Sequence, residues 1–463
     1  MHRFDVAAQE RFARLSGDWN PMHMDPVAAR RTQAGAPVVH GVHVALWALD
    51  TLIGSGAVLG PIASVQAVFN RFVYLDTPVD IRIAQATDDM VEAVVSAAGV
   101  ETTTVTIGLG RSEAVTVEAF DHPAVATKER MPNAPPLSAM AKQAGWIPPE
   151  GNENLFPHLS SAIGARRVGA IALTSRLVGM LCPGLHSVFG SLDVAVVGDH
   201  PRPGLGFQVD VANVRTRLVR MSVAGSGLAG SVIAFARREA VAQPPMDRVA
   251  AHVVPGCFAG TTALVTGGSR GLGALTARIL AAGGARTIVT YAVGRDDAAA
   301  VAAEINAFAA KAVCSAVRYD MMECAGLQIE GVTHLYHFAS PRIYRQKAAL
   351  FDAAVYGEFG RAYLGAFFEL CVALRPNVAF FPSSVFVEAG RPSEMAEYAM
   401  AKAAGEILCE EMNRVEGFPR VLSRRLPRML TDQTATLARV ATEDALATLL
   451  PVVKDVQAVT ASR

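Results

Sequence analysis

Hydrophobic and polar positions divide the chain into three stretches with different rhythms. The first runs to about residue 125. It opens with two short helical patterns, and an apolar run from Gly41 predicts a longer helix. Four runs with strand character follow: "AVFNRFVYL", "VDIRIAQAT", "MVEAVVSAAG" and "ETTTVTIGLG". Period-two alternation of β-branched residues suits strands with one buried face. One helix followed by an antiparallel meander is an α+β pattern. Two proline-rich passages, "MPNAPPLS" and "GWIPPEGNENLFP", predict a connector. The second stretch, about 156–240, repeats the order of the first. A helix-like "ALTSRLVGMLCPG" leads into the strand-like "HSVFGSLDVAVVG", "GFQVDVANVRTRLVRMSVAG" and "GSVIAFARREAV". That order, and not sequence identity, suggests a distant internal duplication. From about residue 256 short apolar strands alternate with alanine-rich helices, which predicts βαβ units and a parallel sheet. The expected domains are 1–125, 126–255 with its linkers, and 256–463.

Composition narrows the setting. The 51% of hydrophobic residues and 18% of charged residues suit buried cores and exclude a disordered chain. Lys plus Arg and Asp plus Glu both number 42, so no basic excess argues for nucleic acid or an anionic membrane surface. The run Val44–Phe69 carries one charge, Asp50, and has the length of a membrane span. Gly54, Gly56, Gly60 and Pro61 break it, so a buried core helix and a loop are expected. The N-terminus is charged throughout, unlike a signal peptide. Six scattered cysteines with no CxxC pair predict free thiols in a reducing compartment, hence a cytoplasmic protein. No metal is expected, and a homo-oligomer is left open.

In the third stretch, "TALVTGGSRGLGALTARIL" places Gly267, Gly271 and Gly273 between a strand and a helix. Glycines permit the tight turn, and the helix N-terminus offers free N–H groups to a pyrophosphate. The loop residues Gly267, Ser269, Arg270, Gly271, Leu272 and Gly273 are the expected contacts. The second strand ends "TIVTYAVGR" with no carboxylate before Asp296, where an NAD site usually carries an acid. Arg270 and Arg295 are cations suited to a 2′-phosphate, so NADP(H) is the expected cofactor. Tyr398 and Lys402 stand four apart on one helical face. A phenol with a pKa of ~10 is a poor proton donor and acceptor at neutral pH, and a nearby ammonium lowers that value. Ser384 ends the strand "NVAFFPSS" and can hydrogen-bond a substrate carbonyl.

These motifs make the stretch similar to a short-chain dehydrogenase/reductase. Gly267, Gly271 and Gly273 match that family's TGxxxGxG, and Ser384, Tyr398 and Lys402 match its catalytic residues. Asp320 matches the position that contacts adenine. The resemblance implies that Tyr398 protonates a carbonyl oxygen as hydride arrives and that Ser384 orients it. Lys402 would hold the nicotinamide ribose and tune Tyr398; Tyr398 and Lys402 are thus also cofactor contacts. Two departures stand out: the family's Asn-Ala-Gly appears as "HFAS", and its helical asparagine is replaced near Ala362. Such features resemble the ketoreductase modules of polyketide synthases.

The first stretch holds "SGDWNPMHMDP" from Ser16 to Pro26. Gly17 suits a helix C-cap, Pro21 stops helix continuation, and Asp25-Pro26 suits the start of the next helix. Asp18 and His23 therefore sit on a connector where an acid and an imidazole can hold one water. The string, with "APVVHGVHVALWAL" downstream, resembles the MaoC-like, or (R)-specific enoyl-CoA hydratase, family of hot-dog folds. The resemblance implies that Asp18 and His23 are the catalytic dyad and that the Gly41 N–H faces the thioester oxygen. The second stretch resembles the same fold without that string, and His186 reads there as structural.

The expected fold is thus an α+β double hot-dog followed by an α/β Rossmann doubly wound parallel sheet. The expected function is a bifunctional 3-oxoacyl-thioester reductase and (R)-3-hydroxyacyl-thioester dehydratase or enoyl hydratase of fatty-acyl or polyketide-type metabolism. Its substrates would be thioesters of coenzyme A or of an acyl carrier protein. Two alternatives compete with it: a reductase whose hot-dog half only binds acyl chains, and a nucleotide-sensing module without turnover.

Overall fold

The structure is a computed structural model that describes residues 1–111, 120, 122–125, 130–198, 202–323, 327–388, 390–435 and 440–461. The chain forms two compact units, one from Met1 to Glu239 and one beginning at Ala240.

The first unit is built on one ten-stranded sheet. Its strands are β1 (His2–Arg3), β2 (Ile62–Phe69), β3 (Pro78–Ala86), β4 (Met90–Ala97), β5 (Val100–Leu109), β6 (Ala144–Ile147), β7 (Ser187–Val196), β8 (Leu205–Ala212), β9 (Leu218–Gly225) and β10 (Leu228–Ala236). The spatial order is β1-β3-β4-β5-β2-β7-β10-β9-β8-β6, so the two halves mirror each other about an antiparallel β2–β7 joint. Each half places a helix ahead of its first long strand: Gly41–Gly54 before β2 and Ala165–Arg176 before β7. Alternating side chains of β4, Ala93, Val95 and Ala97, are buried and share one core with the two helices. The apolar run at Val44 is a helix that ends at Gly54, and among the described residues no helix is long and apolar enough to cross a membrane.

Two expected boundaries are corrected. The first strand of the meander, expected over "AVFNRFVYL", instead spans Ile62–Phe69. The Asn70 and Arg71 N–H groups both donate to the Thr102 carbonyl, which turns the chain out of the ladder. The proline-rich connector also contains a strand, β6, which pairs with β8 and buries Trp146 and Ile147. The gain from burying these large side chains overrides the flanking breakers.

The second unit has six parallel strands: β11 (Thr262–Thr266), β12 (Arg286–Tyr291), β13 (Cys314–Arg318), β14 (His334–His337), β15 (Val378–Ser384) and β16 (Arg420–Leu426). Their order is β13-β12-β11-β14-β15-β16, the doubly wound order of a Rossmann sheet. Separate apolar clusters cover its two faces, which explains why β15 is buried at every position. Such a sheet places ligands at the carboxyl ends of its strands. Five cysteines, Cys182, Cys257, Cys314, Cys371 and Cys409, are free thiols; Cys324 lies outside the described residues.

Candidate functional site

The first unit brings Asp18 and His23 together. The helix Val6–Ser16 ends at Gly17, whose φ of 74° is left-handed and favours glycine. Asn20 then caps a one-turn helix, Pro21–Met24, so His23 stands on that turn and not on an irregular connector. The Asn20 amide also donates to the carbonyls of Gly179 at 2.7 Å and Gly184 at 3.2 Å, which pins the turn to the second half. Asp18 is 2% exposed. Its carboxylate accepts from Ser175 Oγ at 2.7 Å and from the Asn20 N–H at 3.1 Å. Burial raises its pKa, against which His23, Ser175 and Asn20 pull it down.

His23 Nδ1–H donates to the Val38 carbonyl at 2.8 Å, which leaves the Nε2 lone pair for chemistry. Burial lowers its pKa, while Asp18 raises it. His40 packs flat on His23 with ring centroids 4.0 Å apart, and its Nε2–H donates to the Asp18 carbonyl at 3.1 Å. Burial keeps His40 neutral, with a pKa well below the usual value. Asp18, His23 and His40 offer ligand atoms within 4.8 Å of one another, with His23 Nδ1 and His40 Nε2 engaged by the Val38 and Asp18 carbonyls.

Asp18, His23, Gly41 and Ser175 line a pocket with about 600 Å³ of empty space, part of it open to solvent. Val38, Phe69 and Phe189 form apolar walls. Gly41 begins the central helix, and a Cβ there would stand 3.0 Å from the Phe69 ring. A Cβ on Gly179 would press into the Asp18 carboxylate, 2.7 Å from its Cγ. Sequence reasoning missed Ser175, Gly179 and the part played by His40. His40 had a signal, the His-Gly pair at the helix start. Ser175 had none, lying 157 residues from its partner. His186 ends a short 3₁₀ turn, Gly184–His186, just before β7, and its Nδ1 is buried without a hydrogen-bond partner.

In the second unit the glycine-rich turn joins β11 to the helix Gly271–Ala282. Gly267 and Gly271 have φ of 66° and 57°. A Cβ on Gly267 would stand 2.8 Å from the Ala339 nitrogen, and one on Gly273 would clash with the Gly267 carbonyl. A Cβ on Gly271 would meet nothing within 4 Å, so the turn is packed beneath and open above. That cradle and its helix N-terminus fit a dinucleotide pyrophosphate. Ser269 is buried and Leu272 half-buried. Arg295 is exposed at the start of the helix Arg295–Ala309, and Asp320 accepts from the Met322 N–H at 3.0 Å. These residues follow the carboxyl ends of neighbouring strands β11, β12 and β13. Arg270 forms an ion pair with Asp432 at 2.9 Å.

Ser384, Tyr398 and Lys402 are also brought together, all buried. Ser384 stands beside Tyr398 and favours its ionised form, and its Oγ accepts from the Phe386 N–H at 3.2 Å. Lys402 Nζ donates to the Pro382 carbonyl at 2.7 Å and lies 3.7 Å above the Tyr363 ring. The expectation that an ammonium lowers the Tyr398 pKa is corrected: burial pushes that phenol up to about 12, and only Ser384 opposes it. The reason is that burial without a neighbouring carboxylate holds Lys402 itself down to about 7. In "HFAS", His337 Nε2–H donates at 3.0 Å to the Ala362 carbonyl, in a π-turn at Arg361–Gly365, and its Nδ1 accepts from Thr266 at 3.1 Å.

Comparison with known families agrees with both halves of this picture. A model described as MaoC like domain matches residues 4–106, and one described as short chain dehydrogenase matches residues 261–328. The second match ends before Ser384, Tyr398 and Lys402. No curated protein matches the chain. Among solved structures, one described as a short chain dehydrogenase from Pseudomonas syringae is 21% identical with a TM-score of 0.38, over 44% of this chain and 92% of its own. Another from Escherichia coli CFT073, complexed with NADPH, is 20% identical with a TM-score of 0.37 over 44% and 92%. A short chain dehydrogenase from Salmonella enterica serovar Typhi strain CT18 is 18% identical, with a TM-score of 0.37 over the same shares. The chain therefore carries a MaoC-like domain at its N-terminus and a short-chain dehydrogenase domain at its C-terminus.

Proposed function

We propose that the chain is a bifunctional cytoplasmic enzyme acting on acyl thioesters, a double hot-dog hydratase/dehydratase joined to an NADPH-dependent reductase. The observation that supports this reading best is the pocket where a buried carboxylate, an imidazole with a spare lone pair and a helix N-terminus meet. In the hydration direction, a water held between Asp18 and His23 Nε2 loses a proton to this pair as its oxygen attacks C3. The pair returns a proton to C2. Dehydration of an (R)-3-hydroxyacyl thioester is the reverse. The Gly41 N–H, at the positive end of the central helix, stabilises charge on the thioester oxygen as the enolate develops.

In the second unit, Gly267, Ser269, Gly271, Leu272 and Gly273 would hold the pyrophosphate, Asp320 the adenine side, and Arg270 and Arg295 the 2′-phosphate. The chemistry NADPH supplies when bound is a hydride for the carbonyl carbon. Ser384 orients that carbonyl, and Tyr398, kept protonated by burial, gives its proton to the oxygen. Lys402 would hold the nicotinamide ribose. The product of reduction, a 3-hydroxyacyl thioester, is the substrate for dehydration, whether the carrier is coenzyme A or an acyl carrier protein.

One observation favours a second reading, a nucleotide-sensing module. Lys402 gives its hydrogen bond to the Pro382 carbonyl, and its Nζ lies 5.9 Å from the Tyr398 ring centroid. Two substitutions separate the readings. Asp18→Asn is expected to abolish hydration of a crotonyl thioester and to leave reduction intact. Tyr398→Phe is expected to abolish NADPH oxidation by an acetoacetyl thioester and to leave hydration intact. Unchanged hydration in Asp18→Asn sinks the hydratase assignment. Failure of the wild-type chain to reduce any 3-oxoacyl thioester favours the sensor.

A further inference from the structure

The loop that follows β16, residues 429–435, is tied to three other segments of its unit. Ile343 N–H donates to Gln433 Oε1 at 2.9 Å, and Gln243 Nε2 donates to the Leu430 carbonyl at 3.0 Å. The third tie runs through Asp432. One carboxylate oxygen accepts from the Val241 N–H at 2.9 Å, and the other pairs with Arg270 Nη1 at 2.9 Å. Asp432 is 11% exposed and Arg270 27%, so solvent screens the pair only in part. Arg270 is the residue immediately before the helix of the glycine-rich turn.

We infer that Asp432 sets the affinity for the 2′-phosphate by competing for Arg270. The inference rests on the NADP(H) reading and deepens it. Arg270 lies within the glycine-rich turn that forms the pyrophosphate cradle, and a guanidinium recognises a carboxylate and a phosphate through the same planar set of donors. A 2′-phosphate can engage Arg270 fully only by drawing it from Asp432. While the pair persists, the carboxylate presents negative charge to the arriving dianion. NADH carries no 2′-phosphate and does not need the exchange. Asp432 is therefore a positioning residue that acts through Arg270, and it couples occupation of the cofactor site to release of one tie on the loop beyond β16.

The test is equilibrium titration of the full chain with NADPH and with NADH, followed by nicotinamide fluorescence, for wild type, Asp432→Asn, Asp432→Ser, Arg270→Ala and the double variant Arg270→Ala/Asp432→Asn. Loss of a competing ion pair predicts about three- to tenfold tighter NADPH binding in both Asp432 variants, with NADH within about twofold of wild type. On the Arg270→Ala background the Asp432→Asn effect should vanish, because the two residues act as one unit. An Asp432 variant that binds NADPH no tighter, or shifts both dinucleotides equally, overturns the inference, and Asp432→Ser guards against misfolding of a single variant. The NADP(H) reading fails separately, if wild type does not prefer NADPH or if Arg270→Ala keeps that preference; the inference then falls with it.

Discussion

Asp18 is held between opposing demands. Burial favours its neutral form, whereas His23, the Ser175 hydroxyl and the Asn20 N–H favour the carboxylate. Burial wins, so the pKa lies above the ordinary aspartate value of ~3.9. The rate needs the ionised form, so kcat/KM for hydration should fall on acidification through that raised value. Ser175→Ala removes a donor that stabilises the charge and leaves burial in place. The acid limb should then move to higher pH. A pH–rate profile with a crotonyl thioester over about pH 4 to 8 reads this directly. A limb that stays put, or moves to lower pH, means that Ser175 does not act on the Asp18 charge. His23 has the opposite balance: burial lowers its pKa against the pull of Asp18, which favours the neutral ring with its lone pair.

Elements, more than single residues, carry the geometry around that carboxylate. The helix Ala165–Arg176 continues into a π-turn, Leu177–Leu181, that places Gly179 against Asp18. Gly179→Ala would force the carboxylate aside, and displacement of a reacting group by about 1 Å can cost 10²-fold. Hydratase kcat is thus expected to fall by about two orders of magnitude, with NADPH reduction of a 3-oxo thioester unchanged; near-normal hydration would mean that the carboxylate has room to move. The sequence is informative where a local pattern suffices. Asp18 and His23 share one short string in which Gly17, Asn20 and Pro21 have conformational preferences that can be read residue by residue. The parallel strands follow for the same reason, each being a short apolar run beside a helix. Contacts formed by distant segments left no such mark. Ser175 and Gly179 look like ordinary helix residues until the two halves of the sheet meet. Strand β6 hides among prolines because its register is set by β8, more than 50 residues on. The Tyr398 expectation failed because spacing puts Lys402 on the right face but does not say which acceptor its ammonium takes.

At the scale of the molecule, the site explains why a match to residues 4–106 understates the domain. Strand β2 pairs with β7, and the donor to Asp18 comes from the helix ahead of β7, so the first half alone has neither its sheet neighbour nor a complete pocket. The same burial that builds both units makes them sensitive to acid. Of the chain's 11 histidines, His43 is held down to about 3, and His334 and His337 to about 4, by burial; His40 is lowered too. Each is neutral in the fold and titrates near 6.5 once unfolded, so the unfolded chain binds more protons between those values. Stability from these groups is present above about pH 6.5 and is lost as pH falls towards 4 and then 3. Asp18, with its raised pKa, works in the opposite direction, but it is one carboxylate against four imidazoles. Lys402, at about 7 in the fold, adds a further rise in stability from there towards the ~10.4 of a free lysine. Unfolding free energies from urea titrations should therefore climb from about pH 5 to pH 7, by a total on the order of several kcal/mol, before the buried thiols Cys182 and Cys409, which burial raises to about 12, work against the rise near pH 9. The histidines sit in both units, so both transitions should shift. Values that are flat or fall from about pH 5 to pH 7 would show that these groups are not held neutral in the folded chain.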